Sequence, residues 1–464
     1  MTRKVVWLLV VTLACLVVVS TARTMMFASK QLAVSPVAIE IDAAGSAQRL
    51  AGALRFSTVS QSGSGANNAP AFLQLHDYLH RQFPRVHRSL TREVISNYSL
   101  LYRWAGSAPE LEPVLLAAHI DVVPAGSDDD AGWQYPPFAG TVAQGFVWGR
   151  GAMDDKVGVT AILEAIEWLL ALEFQPRRTV YLAFGHDEEV GGAQGAAQIA
   201  AHLAQQGVRL QFVLDEGMMV TEGIVPGVAE PVALIGIAEK GYADVELVAT
   251  AAGGHTSIPP SQTAAGIVAG TIARLERSPM PARLADPARQ LFEHAGPEMS
   301  FAFRMLFANL WLFEPLVLGQ LAAQPATNAV IRTTAAPTML RGSERPNVLP
   351  ASAAAVVNYR ILPGDTIDDV LEHVRRTVDD DRVTVQLYTE DSHEPSTQSS
   401  TDSSGFRAIE RSIREVFAGT IVAPALVVPA TDARHYAQMA ADVYRFAPLR
   451  VGSEDLARFH GTDE

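Results

Sequence analysis

Residues 179–192, TVYLAFGHDEEVGG, join a short apolar run to three consecutive acids. Thr179–Phe184 has the length and composition of a buried strand, and Asp187, Glu188 and Glu189 follow almost directly. Adjacent carboxylates repel one another, so a strand that ends on such a cluster indicates that a cation neutralises it. The stretch therefore predicts a buried strand and a cation site at its carboxyl end.

Strands and helices alternate on both sides of this stretch. Leu115–Ala118 and Leu210–Leu214 are predicted as further buried strands. Residues 156–172 carry apolar side chains at helical spacing, and the Ala-rich residues 193–206 predict a second helix. The alternation predicts an α/β domain with a mostly parallel sheet. QSGSGANNAP, residues 61–70, predicts a loop from its turn-forming residues.

The pattern changes near residue 239. ADVELVA, AAVVNYRIL and RVTVQLY read as strands, the first two alternating like half-buried ones, and helices are predicted over 262–275 and 366–378. Two helices against a small antiparallel sheet predict a separate α+β domain inserted within the first. The predicted parts are a signal peptide or anchor (1–24), a catalytic domain in two pieces (35–238 and 391–464) and an inserted domain (239–390).

Composition excludes several classes of protein. The 464-residue chain has 48% hydrophobic and 19% charged residues, which predicts a globular protein of two or three domains. Its net charge of −14, without a basic stripe, argues against a nucleic-acid partner. The only cysteine, Cys15, lies in the N-terminal apolar segment. Disulfides and cysteine metal ligands are therefore not available to the rest of the chain.

The N-terminus carries an uncharged apolar segment, VVWLLVVTLACLVVVS, behind Arg3 and Lys4. It falls between the core of a signal peptide and a full membrane span of roughly 17–25 residues. Ser20–Thr21–Ala22 would suit a signal peptidase, so a cleaved signal and a retained anchor both remain open. Both place the rest of the chain outside the cytoplasm, because the basic end stays inside. We expect a protein that is secreted, periplasmic or anchored facing the non-cytoplasmic side.

Three predicted strands of the first domain end in side chains that can bind a metal: His119 and Asp121, Asp187–Glu189, and Asp215. The carboxyl ends of parallel strands meet at one edge of a sheet, so these side chains are expected to converge. Asp154, in WGRGAMDDK, either joins them or caps the following helix. Imidazole with carboxylates suits Zn²⁺, Co²⁺ or Mn²⁺. The excess of carboxylates favours two ions bridged by one of them.

A series of ordered motifs resembles one enzyme family: HIDVVP, GRGAMDDK, HDEEVGG, LDEG, GGHTSIPP, NVLP with YRILPG, and FHG. From about residue 55 to 464 the chain resembles the di-zinc metallopeptidases that include aminoacylase, acetylornithine deacetylase, glutamate carboxypeptidase and Gly-Xaa carboxypeptidase. NYSLLY, PATNAVIRTT and DVYRFAPL are similar to its N-fatty-acyl-amino-acid synthase/hydrolase branch. The resemblance implies a mostly parallel α/β catalytic domain with an inserted ferredoxin-like α+β lid or dimerisation domain.

The resemblance also implies ligands for two Zn²⁺ ions per subunit: His119 and Asp215 for one, Glu189 and His460 for the other, and Asp154 as the bridge. Other implied roles are the general base (Glu188), the carboxylate that orients His119 (Asp121) and a histidine that stabilises the oxyanion, often across a homodimer (His255). Asn347 and Arg360 would hold a carboxylate of the substrate, which suits the bidentate guanidinium. Family members usually continue past the His460 motif into a closing helix, whereas this sequence ends at HGTDE, so we expect either a truncated sequence or a loosely held second metal.

These roles imply hydrolysis of an N-acyl amino acid, or its synthesis by the reverse reaction. The leaving group is expected to be an amino acid, because Asn347 and Arg360 would bind its free carboxylate. A Gly-Xaa-type carboxypeptidase or dipeptidase acting on short peptides is one alternative. A membrane-anchored protein that uses the fold as an inactive scaffold is another. Residues 300–319, with Arg304 and Glu314 as their only charges, would line an acyl groove, pack in the inserted domain or rest on a membrane.

Overall fold

The computed structural model describes residues 3–61, 68–126, 132–389 and 391–464. Residues 62–67 of the predicted QSGSGANNAP loop lie outside these ranges. The helices are α1 (Arg3–Met26), α2 (Ala43–Leu54), α3 (Ala69–Gln82), α4 (Pro84–Ser89), α5 (Lys156–Ala171), α6 (Ala196–Gln205), α7 (Ala264–Arg277), α8 (Asp286–Ala295), α9 (Phe301–Ala308), α10 (Leu310–Leu321), α11 (Pro325–Ala329), α12 (Ile367–Val378) and α13 (Ser404–Val416).

The strands are β1 (Thr91–Ile95), β2 (Ser99–Trp104), β3 (Val114–His119), β4 (Thr141–Ala143), β5 (Phe146–Trp148), β6 (Val180–Gly185), β7 (Leu210–Asp215), β8 (Val220–Thr221), β9 (Val232–Glu239), β10 (Gly241–Thr250), β11 (Gly254–His255), β12 (Thr334–Arg341), β13 (Val348–Leu349), β14 (Ser352–Ile361), β15 (Val383–Leu387), β16 (Ile421–Val427), β17 (Ala440–Arg445) and β18 (Arg450–Val451).

The chain divides into two compact units. The large unit comprises Lys30–Ile237, Gln398–Ala425 and Thr431–Glu464. The small unit comprises Met1–Ser29, Ala238–Thr397 and Leu426–Ala430. The small unit thus contains the predicted inserted domain together with the N-terminal helix α1.

A ten-stranded mixed sheet forms the centre of the large unit, in the order β1-β2-β6-β3-β7-β17-β9-β8-β18, with β16 paired to β9. β3 runs parallel to β6 and β7, and β17 runs parallel to β7. The central strands are covered on both faces, as parallel sheets require. In β6, for example, Leu182 packs with α3 and α5, whereas Tyr181 packs with α6. The predicted mostly parallel α/β fold is confirmed.

The register of this sheet determines where its functional side chains lie. β3 pairs with β6 so that His119 lies beside Gly185, and the acids of the opening stretch follow two residues later. β7 lies on the other side of β3 and ends at Asp215. The carboxyl ends of these three parallel strands therefore meet at one edge of the sheet.

The small unit is built on a four-stranded antiparallel sheet in the order β12-β14-β10-β15. α7 lies in sequence between β10 and β12, and α12 connects β14 to β15. Both helices pack their apolar faces on the sheet, for example through Val268 and Val374 against Val357. This arrangement is ferredoxin-like, and it confirms the predicted α+β class of the inserted part.

Candidate metal centre

His119, the last residue of β3, is buried and lies within reach of two carboxylates. Its Nε2 is 2.8 Å from Asp154 Oδ1 and 3.3 Å from Glu216 Oε1. Ligand atoms of the three residues all lie within 4.8 Å of one another. One imidazole and two carboxylates at this spacing are suitable ligands for Zn²⁺ or a similar divalent ion.

A second group of ligands shares Asp154 with the first. His460 Nε2 is 3.1 Å from Asp154 Oδ2 and 3.1 Å from Glu189 Oε2. Asp154 thus directs one carboxylate oxygen to each histidine, and the two groups meet at this residue. A carboxylate between two sites is the arrangement that bridges paired metal ions ~3.5–4 Å apart.

The electrostatics of these groups suit a cation. Burial, and then the neighbouring charges of Asp154 and Asp155, raise the pKa of Glu216 well above its usual range. Burial alone would lower the pKa of His119, yet the surrounding carboxylates, Glu216 first, raise it well above its usual range. Glu189 Oε1 is buried without a hydrogen-bond partner among the described residues. A divalent ion would relieve the repulsion and satisfy that oxygen, so the residues present fit two metal ions.

The carboxylate beside His119 belongs to Glu216, whereas the sequence prediction placed Asp215 there. Asp215 is the last residue of β7 and is buried, and in the described part of the chain it belongs to neither ligand group. Successive side chains at a strand end point to opposite sides, so only one of two adjacent acids can face the site. Among the described residues Glu216 is therefore the acid beside His119, and the ligand role of Asp215 stays a prediction.

Asp121 holds both the histidine and the acidic turn in place. Its Oδ1 is 3.3 Å from His119 Nδ1 and accepts a hydrogen bond from the Glu188 backbone N–H at 3.1 Å. Its Oδ2 accepts from the Glu189 N–H at 3.1 Å and from Ser60 Oγ at 2.6 Å. Because the Asp121 carboxylate lies at Nδ1 of His119, the other ring nitrogen, Nε2, can face the two ligand groups.

Glu188 begins the 3₁₀ helix Glu188–Val190, between strand β6 and the candidate ligand Glu189. Burial raises the pKa of Glu188 well above its usual range; the His119 charge opposes this, and Glu216, Asp432 and Glu189 add to it. The turn closes through Gly192, which has a φ of 68° and whose missing Cβ would lie 2.1 Å from Asp432 Oδ1. A side chain at position 192 is therefore excluded, which explains the glycine after the acids.

Glu464 is a site residue that the sequence reasoning missed. Its carboxylate is buried, pairs with Arg150 and accepts hydrogen bonds from the backbone N–H groups of Gly151, Met153 and Asp154 at 3.0–3.1 Å. Arg150 in turn donates to the carbonyl oxygen of His460 at 3.3 Å. The pair connects the turn that holds Asp154 to the loop that holds His460. An acid four residues after the candidate ligand His460 was the available signal in the sequence.

Asp155, which follows Asp154, has a different role. It is the N-cap of α5 and accepts a hydrogen bond from the Gly158 N–H at 3.2 Å. Burial raises the pKa of Asp155 well above its usual range. Of the two acids in GAMDDK, Asp155 caps the helix and Asp154 faces the histidines.

Three predicted site residues lie in the small unit. His255 is exposed in β11, pairs in register with Val348 and contacts Ser257 Oγ through Nδ1 at 2.7 Å. Asn347 directly precedes β13, so it neighbours the partner of His255. Arg360 lies on β14 with its guanidinium 4.9 Å from the ring centre of Tyr242.

The sequence model of peptidase family M20/M25/M40 matches residues 115–464, which include every residue of the two ligand groups. The chain belongs to this family. M20 relatives cover most of its length. It is 42% identical to "Probable carboxypeptidase S-like 2" of Dictyostelium discoideum over 90% of this chain and 80% of that protein. It is also 42% identical to "N-fatty-acyl-amino acid synthase/hydrolase PM20D1" of Mus musculus, over 90% of this chain and 83% of that protein.

Solved M20 structures share the fold at low sequence identity. The M20 family metallo-carboxypeptidase of Sulfolobus solfataricus matches with a TM-score of 0.65 and 17% identity, covering 91% of this chain and 94% of that one. Human carnosine dipeptidase 1 matches with a TM-score of 0.59 and 15% identity, over 90% of this chain and 91% of that one. The chain is therefore an M20 metallo-hydrolase by sequence and fold.

Proposed function

We propose that this chain hydrolyses the amide bond of N-acyl amino acids, releasing a carboxylic acid and a free amino acid, and that the reaction is reversible. The observation that carries the proposal is Asp154 between two histidine–carboxylate groups, with the acid Glu188 directly before Glu189 of the second group. The relatives named as N-fatty-acyl-amino acid synthase/hydrolases favour a long acyl chain. The relatives named as carboxypeptidase S-like favour the second candidate, release of a C-terminal amino acid from a short peptide.

The cofactor of this reaction is a pair of Zn²⁺ ions, with Co²⁺ or Mn²⁺ as substitutes. His119 and Glu216 would hold one ion, Glu189 and His460 would hold the other, and Asp154 is common to the two groups. When bound, the ions polarise the scissile carbonyl and lower the pKa of water. Glu216 takes the place that the sequence reasoning gave to Asp215.

Glu188 is the general base and then the general acid. Its carboxylate takes a proton from the attacking water and returns it to the nitrogen of the leaving amino acid. The backbone bond from Glu188 to Asp121 supports this role, because it fixes the turn on which the carboxyl group sits.

The remaining roles belong to the small unit. Arg360 and Asn347 bind the α-carboxylate of the amino acid, and His255 donates a hydrogen bond to the developing oxyanion. We expect a homodimer formed through this unit, with His255 acting across it. The exposed edge strand β12 supports such an interface, because an unpaired strand edge can pair with a second copy.

The N-terminal helix acts as a membrane anchor in the proposed protein. α1 is long and apolar enough to cross a bilayer, and Arg3 at its start predicts that its N-terminus faces the cytoplasm. The catalytic residues then lie on the exported side. Residues Ser20 and Thr24, close to the alternative signal cleavage site, are buried in the small unit, which favours retention of the helix over its removal.

The test compares two matched substrates, a long-chain N-acyl-phenylalanine and Gly-Phe, with the metal-loaded full-length protein. Faster hydrolysis of the acylated substrate supports the proposal, and preference for Gly-Phe makes the chain a carboxypeptidase or dipeptidase. Glu188→Gln should lower kcat by at least about 100-fold on the preferred substrate. Glu110→Gln, an exposed acid of the large unit, is the matched control and should leave kcat unchanged. Activity on neither substrate, with both metals bound, would instead support an inactive scaffold.

A further inference from the structure

The apolar stretch of the small unit folds into two helices rather than a single one. α9 and α10 meet at Asn309 with their axes bent by 113°. Their sequence carries only two charges, and both are engaged: Arg304 donates to the carbonyl oxygen of Phe27 at 2.8 Å, and Glu314 pairs with Arg289 at 3.3 Å. Neither charge is therefore without a partner, and the side chains of Glu314 and Arg289 are about one-third exposed (34% and 36%).

Large apolar side chains of both helices are exposed to solvent. They are Phe301 (57% exposed), Phe303 (41%), Trp311 (53%), Leu312 (39%) and Leu316 (52%). On the opposite side, Leu310 and Val317 are buried against Leu284 and Ile331. α9 and α10 are thus anchored in the unit by one face and present an apolar face on the other. Several large apolar side chains exposed on two adjoining helices are a feature of interaction surfaces.

The C-terminal end of α1 is fixed to the corner of this pair. Asn309 is fully buried, and its Nδ2 donates to the Ser20 carbonyl oxygen at 3.1 Å and contacts Thr24 Oγ1 at 3.2 Å. Arg23 Nε donates to the carbonyl oxygen of Ala308 at 3.2 Å. These polar contacts lie at the C-terminal end of α1, whereas residues nearer its start, such as Trp7 and Leu8, are well over half exposed.

The length of α1 sets the height of this corner in a bilayer. The helix has 24 residues, or about 36 Å at 1.5 Å per residue. A hydrocarbon core of about 30 Å takes up roughly 20 residues, which from Val5 extend to Thr24. The outer boundary of the bilayer therefore falls where Asn309 binds Ser20 and Thr24. Trp311 and Leu312 directly follow that corner in sequence, at the start of α10.

We propose that α9 and α10 form a docking surface for the outer leaflet of the membrane that α1 spans. Their apolar side chains enter the boundary between headgroups and acyl chains, as those of interfacial amphipathic helices do. Trp311, whose ring nitrogen is 3.3 Å from Asn309 Oδ1, has the apolar ring and polar tip that suit this depth. The inference rests on the proposed retention of α1 as an anchor. It assigns residues 301–321 to the lipid rather than to an acyl groove.

Single-cysteine labelling tests the surface in the full-length protein, reconstituted in phosphatidylcholine vesicles whose lipids are brominated on the acyl chain. The native Cys15, exposed in α1, carries an environment-sensitive fluorophore and reports insertion of the anchor. In a Cys15→Ala background, Leu316→Cys and Trp311→Cys report the docking surface. Glu372→Cys, on the solvent-facing side of α12, is the control. The readout is quenching relative to vesicles of unbrominated lipid.

The expected result is at least twofold quenching at positions 15, 311 and 316 and none at 372. Quenching at 15 without quenching at 311 and 316 overturns the docking surface but leaves the anchor intact. Absence of quenching at 15 overturns the anchor itself. If labels at 311 and 316 report an apolar environment that bromination does not affect, and the same variants without label form disulfide cross-links between two chains, the surface binds a second copy and the proposal is wrong.

Discussion

At the scale of single residues, substitutions of the adjacent acids Asp215 and Glu216 are expected to have opposite effects on metal binding. Glu216 Oε1 lies 3.3 Å from His119 Nε2, whereas Asp215 belongs to neither ligand group of the described chain. We expect Glu216→Gln to lose close to half of the bound zinc, since an amide is a poor ligand. Asp215→Asn should retain both ions. Metal content per chain by elemental analysis decides between them, and loss of zinc only in Asp215→Asn would return the ligand role to Asp215.

The sequence alone could not show which of two adjacent acids faces the metal centre. The strand-end rule identifies His119 and the acids after β6 as neighbours, because carboxyl ends of parallel strands share one edge. It cannot tell which of two consecutive acids faces that edge, since this depends on the residue at which the strand stops. Asp154 and Asp155 pose the same ambiguity, and helix capping by Asp155 resolves it. His460 comes from a loop, so only the family resemblance pointed to it.

His76 provides a pH-dependent contribution to stability away from the metal centre. It is buried in α3, and its Nε2–H donates to the Tyr98 carbonyl oxygen at 2.8 Å. Burial, the largest cause, lowers the pKa of His76 to about 4, below the usual imidazole value of 6.5. Between pH 6.5 and pH 4 the His76 imidazole is therefore protonated in the unfolded chain and neutral in the folded chain. Stability is complete above pH 6.5 and falls as the pH drops toward 4.

The change that tests this is His76→Gln, which keeps a donor for Tyr98. At pH 5 the wild-type protein should lose about 2 kcal/mol through His76, because each pH unit below 6.5 costs about 1.4 kcal/mol. The variant lacks this loss. The measurement is Tm of both proteins at pH 7.5 and pH 5.0, with the variant showing the smaller decrease. Equal decreases would mean that His76 is protonated in the folded protein.

At the scale of elements, Glu464 connects two loops that carry metal ligands. Its carboxylate accepts three backbone hydrogen bonds in the turn before α5 and pairs with Arg150. Glu464→Gln keeps the shape but removes the charge that these bonds need. We expect metal affinity and kcat/KM to fall by about 10–100-fold, as for other residues that orient ligands.

The matched control for that change is Glu454→Gln, an exposed acid in the same C-terminal segment. It should leave metal affinity and kcat/KM unchanged. Added Zn²⁺ should restore part of the activity of Glu464→Gln, because the ligands themselves are intact. A Glu464→Gln protein with wild-type metal affinity would show that the turn holds Asp154 without this carboxylate.

Regular elements followed from the sequence more closely than irregular ones. The predicted strands at 115–118 and 210–214 and the predicted helix at 156–172 appear as β3, β7 and α5, with ends shifted by about one residue. Apolar periodicity determines such elements because both faces of the sheet are covered. Residues 300–319 show no useful periodicity, and their bend at Asn309 depends on its buried contacts with α1. Contacts between segments far apart in sequence leave no local pattern.

At the scale of the whole molecule, each unit has its own hydrophobic core. In the large unit the core lies on both faces of the mixed sheet, and in the small unit it lies between the antiparallel sheet and helices α7 and α12. The candidate ligands all belong to the large unit. The predicted fold class is confirmed. It could be predicted because the first segment alternates buried strands with helices, whereas the strands of the second segment alternate between buried and exposed side chains.

Removal of the metal should therefore loosen the large unit selectively. Binding of an ion at 100 times its Kd stabilises the folded form by about 2.7 kcal/mol, which corresponds to roughly 100-fold slower amide exchange wherever opening releases the ion. With a chelator, hydrogen exchange should accelerate in the ligand segments 149–156, 185–192 and 454–464. The paired strands β10 and β14, which carry no ligand, should keep their protection. Equal acceleration in β10 and β14 would mean that the two cores unfold together, and unchanged exchange in all segments would mean that these residues hold no ion.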